Sequence, residues 1–197
     1  MDCTAGRLPH AAQHRRVVLG GHRGWTSSTV EQAGTDSDCD GLTPTYYAWY
    51  EFFPRGGVTI TSVPVVPGNR MSAEIRYDDP LFTITIANET TGAAFSISSR
   101  LAGAERSSAE WITETPCCTV KGNFLPLSDF GTVDYGDDYT GLSGTNYAAD
   151  ASTSGTMSAF GSNLQESILV NAKGEEEDVP SAISADGTSF TETWQFE

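Results

Sequence analysis

Four short runs in the middle of the chain set its fold class. Val58-Thr59-Ile60-Thr61, Met71-Ser72-Ala73-Glu74-Ile75-Arg76-Tyr77, Leu81-Phe82-Thr83-Ile84-Thr85-Ile86-Ala87-Asn88 and Ala93-Ala94-Phe95-Ser96-Ile97-Ser98 all alternate apolar with polar residues. A period of two is the mark of a strand with one buried face, because successive side chains on a pleated backbone point to opposite sides. Pro67-Gly68-Asn69 and Asp78-Asp79-Pro80 separate some of these runs as turns. Further strand-like segments follow at Gly131-Thr132-Val133-Asp134-Tyr135, Ser167-Ile168-Leu169-Val170-Asn171 and Ser189-Phe190-Thr191-Glu192-Thr193-Trp194, around a stretch rich in Gly, Ser, Thr and Asp at 136–156. The chain carries neither an amphipathic helix nor an internal repeat. An all-β fold is therefore expected, with two antiparallel sheets packed as a sandwich. At 197 residues the length suits one domain.

Charge divides the chain unevenly. Of 26 acidic and 11 basic residues, residues 1–23 hold one acid, Asp2, and four Arg, so 24–197 is strongly acidic within an overall formal charge of -15. All three histidines, His10, His14 and His22, also precede residue 24. Residues 1–23 thus read as a doubtful N-terminal segment, out of frame or without order, and 24–197 as the domain proper. So acidic a surface is unsuited to nucleic acid. No apolar run is long enough to span a bilayer, and the first residues lack the apolar core of a signal peptide.

The missing histidines remove whole classes of mechanism. From Gly24 onward neither a Ser-His-Asp nor a Cys-His nucleophile can be assembled, nor a His-ligated zinc site. Catalysis there has to use carboxylates, amides or hydroxyls. Cys39 can be bridged to Cys117 or to Cys118 in an oxidising compartment, and the spacing leaves both pairings open.

Three stretches carry candidate chemistry. Thr26 to Thr35 reads as a β-segment ending in a turn at Gly34, followed by the acidic turn Asp36-Ser37-Asp38-Cys39-Asp40-Gly41. That turn matches the first half of a calcium loop, but Tyr47 stands where the closing Glu belongs and no helices flank it, so no metal site is expected. Tyr46-Tyr47-Ala48-Trp49-Tyr50-Glu51-Phe52-Phe53-Pro54 is the most aromatic stretch; at period two, Tyr47, Trp49, Glu51 and Phe53 share one face. An acid among aromatics on one face suits the floor of a ligand cleft. Ser107-Ser108-Ala109-Glu110-Trp111-Ile112 reads as a strand carrying one carboxylate among apolar neighbours, able to act as a general base or acid. Glu175-Glu176-Glu177-Asp178 reads as a solvated hairpin tip, and Asn88-Glu89-Thr90 fits a glycosylation sequon.

Five blocks, in order, give the chain a resemblance. Thr29-Val30-Glu31-Gln32-Ala33-Gly34-Thr35-Asp36, Tyr47-Ala48-Trp49-Tyr50-Glu51-Phe52-Phe53-Pro54, Ser108-Ala109-Glu110-Trp111-Ile112, Leu125-Pro126-Leu127-Ser128-Asp129-Phe130-Gly131-Thr132-Val133 and Pro180-Ser181-Ala182-Ile183-Ser184-Ala185-Asp186-Gly187-Thr188-Ser189-Phe190 together resemble the eqolisin family of glutamic endopeptidases. The resemblance implies a secreted, acid-active, monomeric enzyme with a lectin-like sandwich, protein or peptide substrates and no cofactor. It also implies a catalytic dyad on the concave face, its glutamine at Gln32 and its glutamate at Glu110, with Asp36, Trp49 and Glu51 beside it in the cleft. By the family mechanism Glu110 takes a proton from the attacking water and later returns one to the leaving nitrogen, while Gln32 orients the water and donates to the oxyanion. The chemistry is consistent with acid: a carboxylate of ordinary pKa near 4.3 is partly ionised where a histidine base is fully protonated.

The chain departs from the family at three points. The family usually carries Asp at the position of Tyr47 and Tyr at that of Phe53. Before Gln32 the family has a strand close to Trp-Val-Gly-Ile-Asp-Gly-Tyr, where this chain has Leu19-Gly20-Gly21-His22-Arg23-Gly24-Trp25. Codons written for Leu19 to Arg23 and read one nucleotide later spell Trp-Val-Gly-Ile and begin an Asp or Glu, which is why residues 1 to about 23 are read as out of frame, with N-terminal strands missing. Two further readings share the sandwich: an inactive or truncated relative, and a lectin-like module that stacks Trp49 and the tyrosines on sugars.

Overall fold

The computed structural model describes residues 14–16, 28–40, 43–114, 127, 129–149 and 152–195, with the backbone alone for 14–16, 39 and 40. Among these, nearly all regular structure is strand. The first sheet has the order β4-β3-β2-β1-β8, built from β1 (His14–Arg16), β2 (Val30–Asp40), β3 (Thr43–Phe53), β4 (Val58–Ile60) and β8 (Glu110–Trp111). Three alternating runs of the sequence, β5 (Met71–Asp78), β6 (Leu81–Asn88) and β7 (Ala93–Ser99), form a meander of three. A four-stranded sheet has the order β12-β13-β14-β9, from β9 (Thr132–Tyr135), β12 (Leu169–Val170), β13 (Glu176–Pro180) and β14 (Phe190–Trp194). The pair β10 (Tyr147–Ala149) and β11 (Ser154–Thr156), a single helical turn α1 (Asp137–Thr140) and a 3-10 segment (Met157–Asn163) complete it. All strand pairings are antiparallel.

Period two decides what each face does. On β5 and β6 the residues Met71, Ala73, Ile75, Phe82, Ile84 and Ile86 are buried. They pack against Ala33, Ala48, Phe52 and Ile60 from the inner face of β2, β3 and β4. A second core gathers Phe130, Val133, Tyr135, Met157 and Phe190, with Trp111 and Trp194 packed against it. Both cores lie on the same side of the five-stranded sheet, because Ala33 and Trp111 both stand opposite position 15 of β1. The other side of that sheet is thereby left for function.

Two local features differ from the sequence expectation. No turn begins at Gly34 or Asp36: β2 runs straight through to Asp40, paired in unbroken register with β3 from Val30↔Phe53 to Asp40↔Thr43. Glycine and acids favour turns, but here eleven consecutive cross-strand pairs override that preference. The second is the sequon. Asn88 is fully buried, its amide donating to Pro64 O and Asn69 Oδ1, each at 2.8 Å, and its Oδ1 accepting the N–H groups of Thr90 and Thr91 at 3.0 and 3.1 Å. A group attached at Asn88 Nδ2 would displace one of the two bonds which that nitrogen donates. Asn88→Ala leaves buried polar groups without partners and is expected to lower stability by about 2–4 kcal/mol, read as a shift in the urea midpoint.

Candidate active site

The unburied face of the five-stranded sheet is built from β2, β3 and β8. Antiparallel residues directly opposite each other project to the same side. The register Gln32↔Glu51, Gly34↔Trp49, Asp36↔Tyr47 and Val30↔Phe53 therefore puts Gln32, Asp36, Tyr47, Trp49, Glu51 and Phe53 on one face, while Glu31, Ala33, Thr35, Ala48 and Phe52 turn into the protein. Gly34 opposite Trp49 leaves room for the indole to lie across β2, since a glycine has no side chain to block it.

Glu110 enters the same surface from the far side of β1. Position 16 pairs with Glu110, and the pairing of 14 and 15 with Gly34 and Ala33 carries position 16 opposite Gln32. Gln32 and Glu110 thus stand in one row, two strand spacings or roughly 10 Å apart at their backbones. Two long side chains rising from such positions can address one small molecule held between them. The two residues make different local contacts. Gln32 donates through Nε2 to Glu51 Oε2. Glu110 is half-buried and its Oε1 accepts the hydroxyl of Ser108 at 2.6 Å.

These contacts fix orientation. A side-chain amide has two N–H groups and one carbonyl, and the bond to Glu51 uses one N–H, so the amide plane of Gln32 is set while its remaining polar atoms can address a ligand. Further along the face the Tyr47 hydroxyl lies 3.0 Å from both Asp36 Oδ2 and Asp38 Oδ2 and shares its one proton between them. Burial, and then the charge of Asp36, push the Tyr47 phenol well up, so it stays a donor throughout the acid and neutral range. Where the family usually carries Asp, this chain has a tyrosine that ties two acids together. Phe53 lies at the rim, 44% exposed. Among the described residues no group of three or more His, Cys, Asp or Glu could hold a metal ion.

All seven site residues expected from the sequence, Gln32, Asp36, Tyr47, Trp49, Glu51, Phe53 and Glu110, fall on this one face. Cys117, Cys118 and the side chain of Cys39 lie outside the described residues, as does nearly all of 1–23.

The sequence reading missed a second group of acids. Asp178, expected at a solvated tip, lies within β13 and is 3% exposed; Glu192 on β14 is 7% exposed. The two carboxyls are diagonal neighbours on one face of the β13–β14 pair, where Asp178 stands opposite Trp194 and Pro180 opposite Glu192. Burial raises both, to about 6 for Asp178 and about 8 for Glu192, and the charge of Asp178 pushes Glu192 up further. Glu192 Oε2 accepts the backbone N–H of Thr113 at 2.7 Å, and the Thr113 hydroxyl bonds the Tyr135 hydroxyl at 2.9 Å. A signal for Glu192 was present: it sits at period two between Phe190 and Trp194, the same pattern that singled out Glu51. Asp178 had none, because a run of four acids shows no alternation.

Comparison with known proteins places this arrangement. Residues 10–179 match the model of the peptidase A4 family. Among solved structures, aspergilloglutamic peptidase from Aspergillus niger superposes with a TM-score of 0.73 at 19% identity, over 94% of this chain and 99% of that one. A scytalido-glutamic peptidase bound to a transition state analog inhibitor gives 0.65 at 21% identity, over 97% and 86%. SCP-B, a member of the eqolisin family in complex with the tripeptide Ala-Ile-His, gives 0.58 at 21% identity, over 97% and 85%. A search of curated protein sequences gives no match.

Proposed function

The chain belongs to the peptidase A4 (eqolisin) family, and from that premise we propose that it is an acid-active endopeptidase in which Glu110 and Gln32 form the catalytic dyad. The observation that carries the reading is the common row: Gln32 and Glu110 stand on one face with β1 between them, each with its polar group held by a neighbour, Glu51 for the amide and Ser108 for the carboxylate.

The chemistry follows from those groups. Glu110, as carboxylate, takes a proton from a water molecule as its oxygen adds to the scissile carbonyl carbon. The carbonyl oxygen gains the electron pair, and an amide N–H of Gln32 donates to it. An uncharged donor suits this task in acid, since its hydrogen-bonding capacity does not change with pH. Collapse of the tetrahedral intermediate breaks the C–N bond, and the proton held by Glu110 passes to the leaving nitrogen. Glu110 ends as a carboxylate again, so no metal or cofactor enters the balance. Trp49 and Phe53 offer apolar area to substrate side chains on either side of the Gln32–Glu51 pair. Substrates are proteins or peptides presented in extended form. Secretion into an acidic medium fits both the family and a surface whose excess carboxylates lose charge there.

Hydrolysis of an internally quenched peptide at pH 3–4 tests the reading, with Gln32→Ala run in parallel. Wild type is expected to hydrolyse it, and Gln32→Ala to lower kcat by about 10²–10³-fold, the usual effect of removing one oxyanion donor. Binding of oligosaccharides without hydrolysis would put a sugar-binding sandwich in its place.

A further inference from the structure

We propose that Glu192, paired with Asp178, is a positioning residue for Glu110: the buried pair anchors the backbone of Thr113, and lets go of it when both carboxyls become charged. The proposal rests on Glu110 being the base, and the geometry that leads to it is separate from the dyad. β8 spans only Glu110–Trp111, and two residues is too short a strand to be held by its ladder alone. It is anchored instead from behind. Trp111 turns away from the cleft and packs against the second core, and two residues on, Thr113 fixes both its N–H and its hydroxyl. The N–H goes to Glu192 and the hydroxyl to Tyr135, so the segment that carries Glu110 is tied to β14 and β9 of the other sheet.

That tie depends on a proton. Among the described residues the polar groups facing the pair are Asp178 from β13, Glu192 from β14, Tyr135 from β9 and Thr113 from the segment after β8, with Leu169 of β12 opposite Asp178. None of them carries positive charge. With one proton or two, the pair holds at most one negative charge and Glu192 still accepts from Thr113. With none, two negative charges share a site from which water is excluded, the arrangement that most disfavours ionisation. Separation of β13 from β14, or of Thr113 from Glu192, relieves it, and either loosens the support of Glu110. The cleft thereby carries its own limit on the alkaline side, set at some distance from the reacting atoms.

Two variants and two readouts test this in the full-length protein. Glu192→Gln keeps an acceptor for Thr113 and cannot ionise; Glu192→Ala removes the acceptor. In the wild type, hydrogen exchange corrected for intrinsic rate is expected to show the Thr113 amide protected in acid and at neutrality and exposed as pH passes about 8; in Glu192→Gln the loss of protection moves up by about one pH unit or more. Glu192→Ala, folded at pH 3.5 by circular dichroism, is expected to lose about 10²-fold in kcat with KM within about threefold, and Glu192→Gln to recover most of that loss. An unmoved exchange transition in Glu192→Gln, or wild-type kcat in folded Glu192→Ala, overturns the proposal. Should Glu192→Ala not fold, the exchange transition in Glu192→Gln alone decides. Absence of hydrolysis by every form, wild type included, would count against the peptidase reading while the exchange transition still reports on the pair.

Discussion

Glu110→Gln is expected to reduce kcat/KM for peptide cleavage at pH 3–4 by at least about 10³-fold, with little change in stability. The substitution keeps the size of the side chain and an oxygen that can accept from Ser108 Oγ, so the local packing survives. What it removes is the ability to take a proton from water and give one to the leaving nitrogen. General acid–base catalysis by one positioned group is worth about 10²–10⁴-fold, and in the proposed mechanism Glu110 serves both halves of the reaction. No other described carboxylate stands ready to replace it: Glu51, also on the cleft face, is engaged by Gln32, and Asp36 by Tyr47. Steady-state kinetics with urea denaturation of both proteins checks the result. An unfolding midpoint that falls in step with activity would assign Glu110 a structural part instead.

The second large effect is on stability against pH. In the folded chain Asp178 and Glu192 hold their protons to about 6 and about 8, where the unfolded chain releases them near 3.8 and 4.5. Raised carboxyls favour the folded state fully only below the unfolded values. As pH climbs past about 4 the unfolded chain gives up protons that the folded one retains, so stability falls continuously until both groups have ionised near pH 8. Self-repulsion from a net charge of -15 at pH 7 acts in the same direction. The urea midpoint is expected to be high at pH 3.5–4 and to drop steeply towards neutrality, with Glu192→Gln flattening the slope. A midpoint constant from pH 4 to 7 would show that the buried pair does not control stability.

The sequence made the sandwich legible because alternation is local: Leu81–Asn88 announces its buried face without reference to any partner strand. It also separated the faces of β3, since Tyr47, Trp49, Glu51 and Phe53 are two apart whatever they pair with. What could not be read was set by pairing. Asp36 and Asp38 look like turn residues until β3 is laid beside them with Tyr47 reaching both. The distance of Gln32 from Glu110 depends on one intervening strand, and position 16, which fills it, belongs to the segment whose composition fits least with the rest. Asp178 is buried because β14 and β13 come together, a contact that no count of charges along the chain contains. The dyad candidates came from resemblance. Their common row came from the register of β1 with β2 and β8.

Central to the proposed mechanism is the claim that peptide bonds are cut in acid through Glu110. The most direct measurement is mass spectrometry of an acid-unfolded protein incubated at pH 3–4 with the wild-type chain and, side by side, with Glu110→Gln. New peptide ends are expected with the wild type and not with the variant. Equal cleavage by the two, or none by a folded wild-type chain, would contradict it.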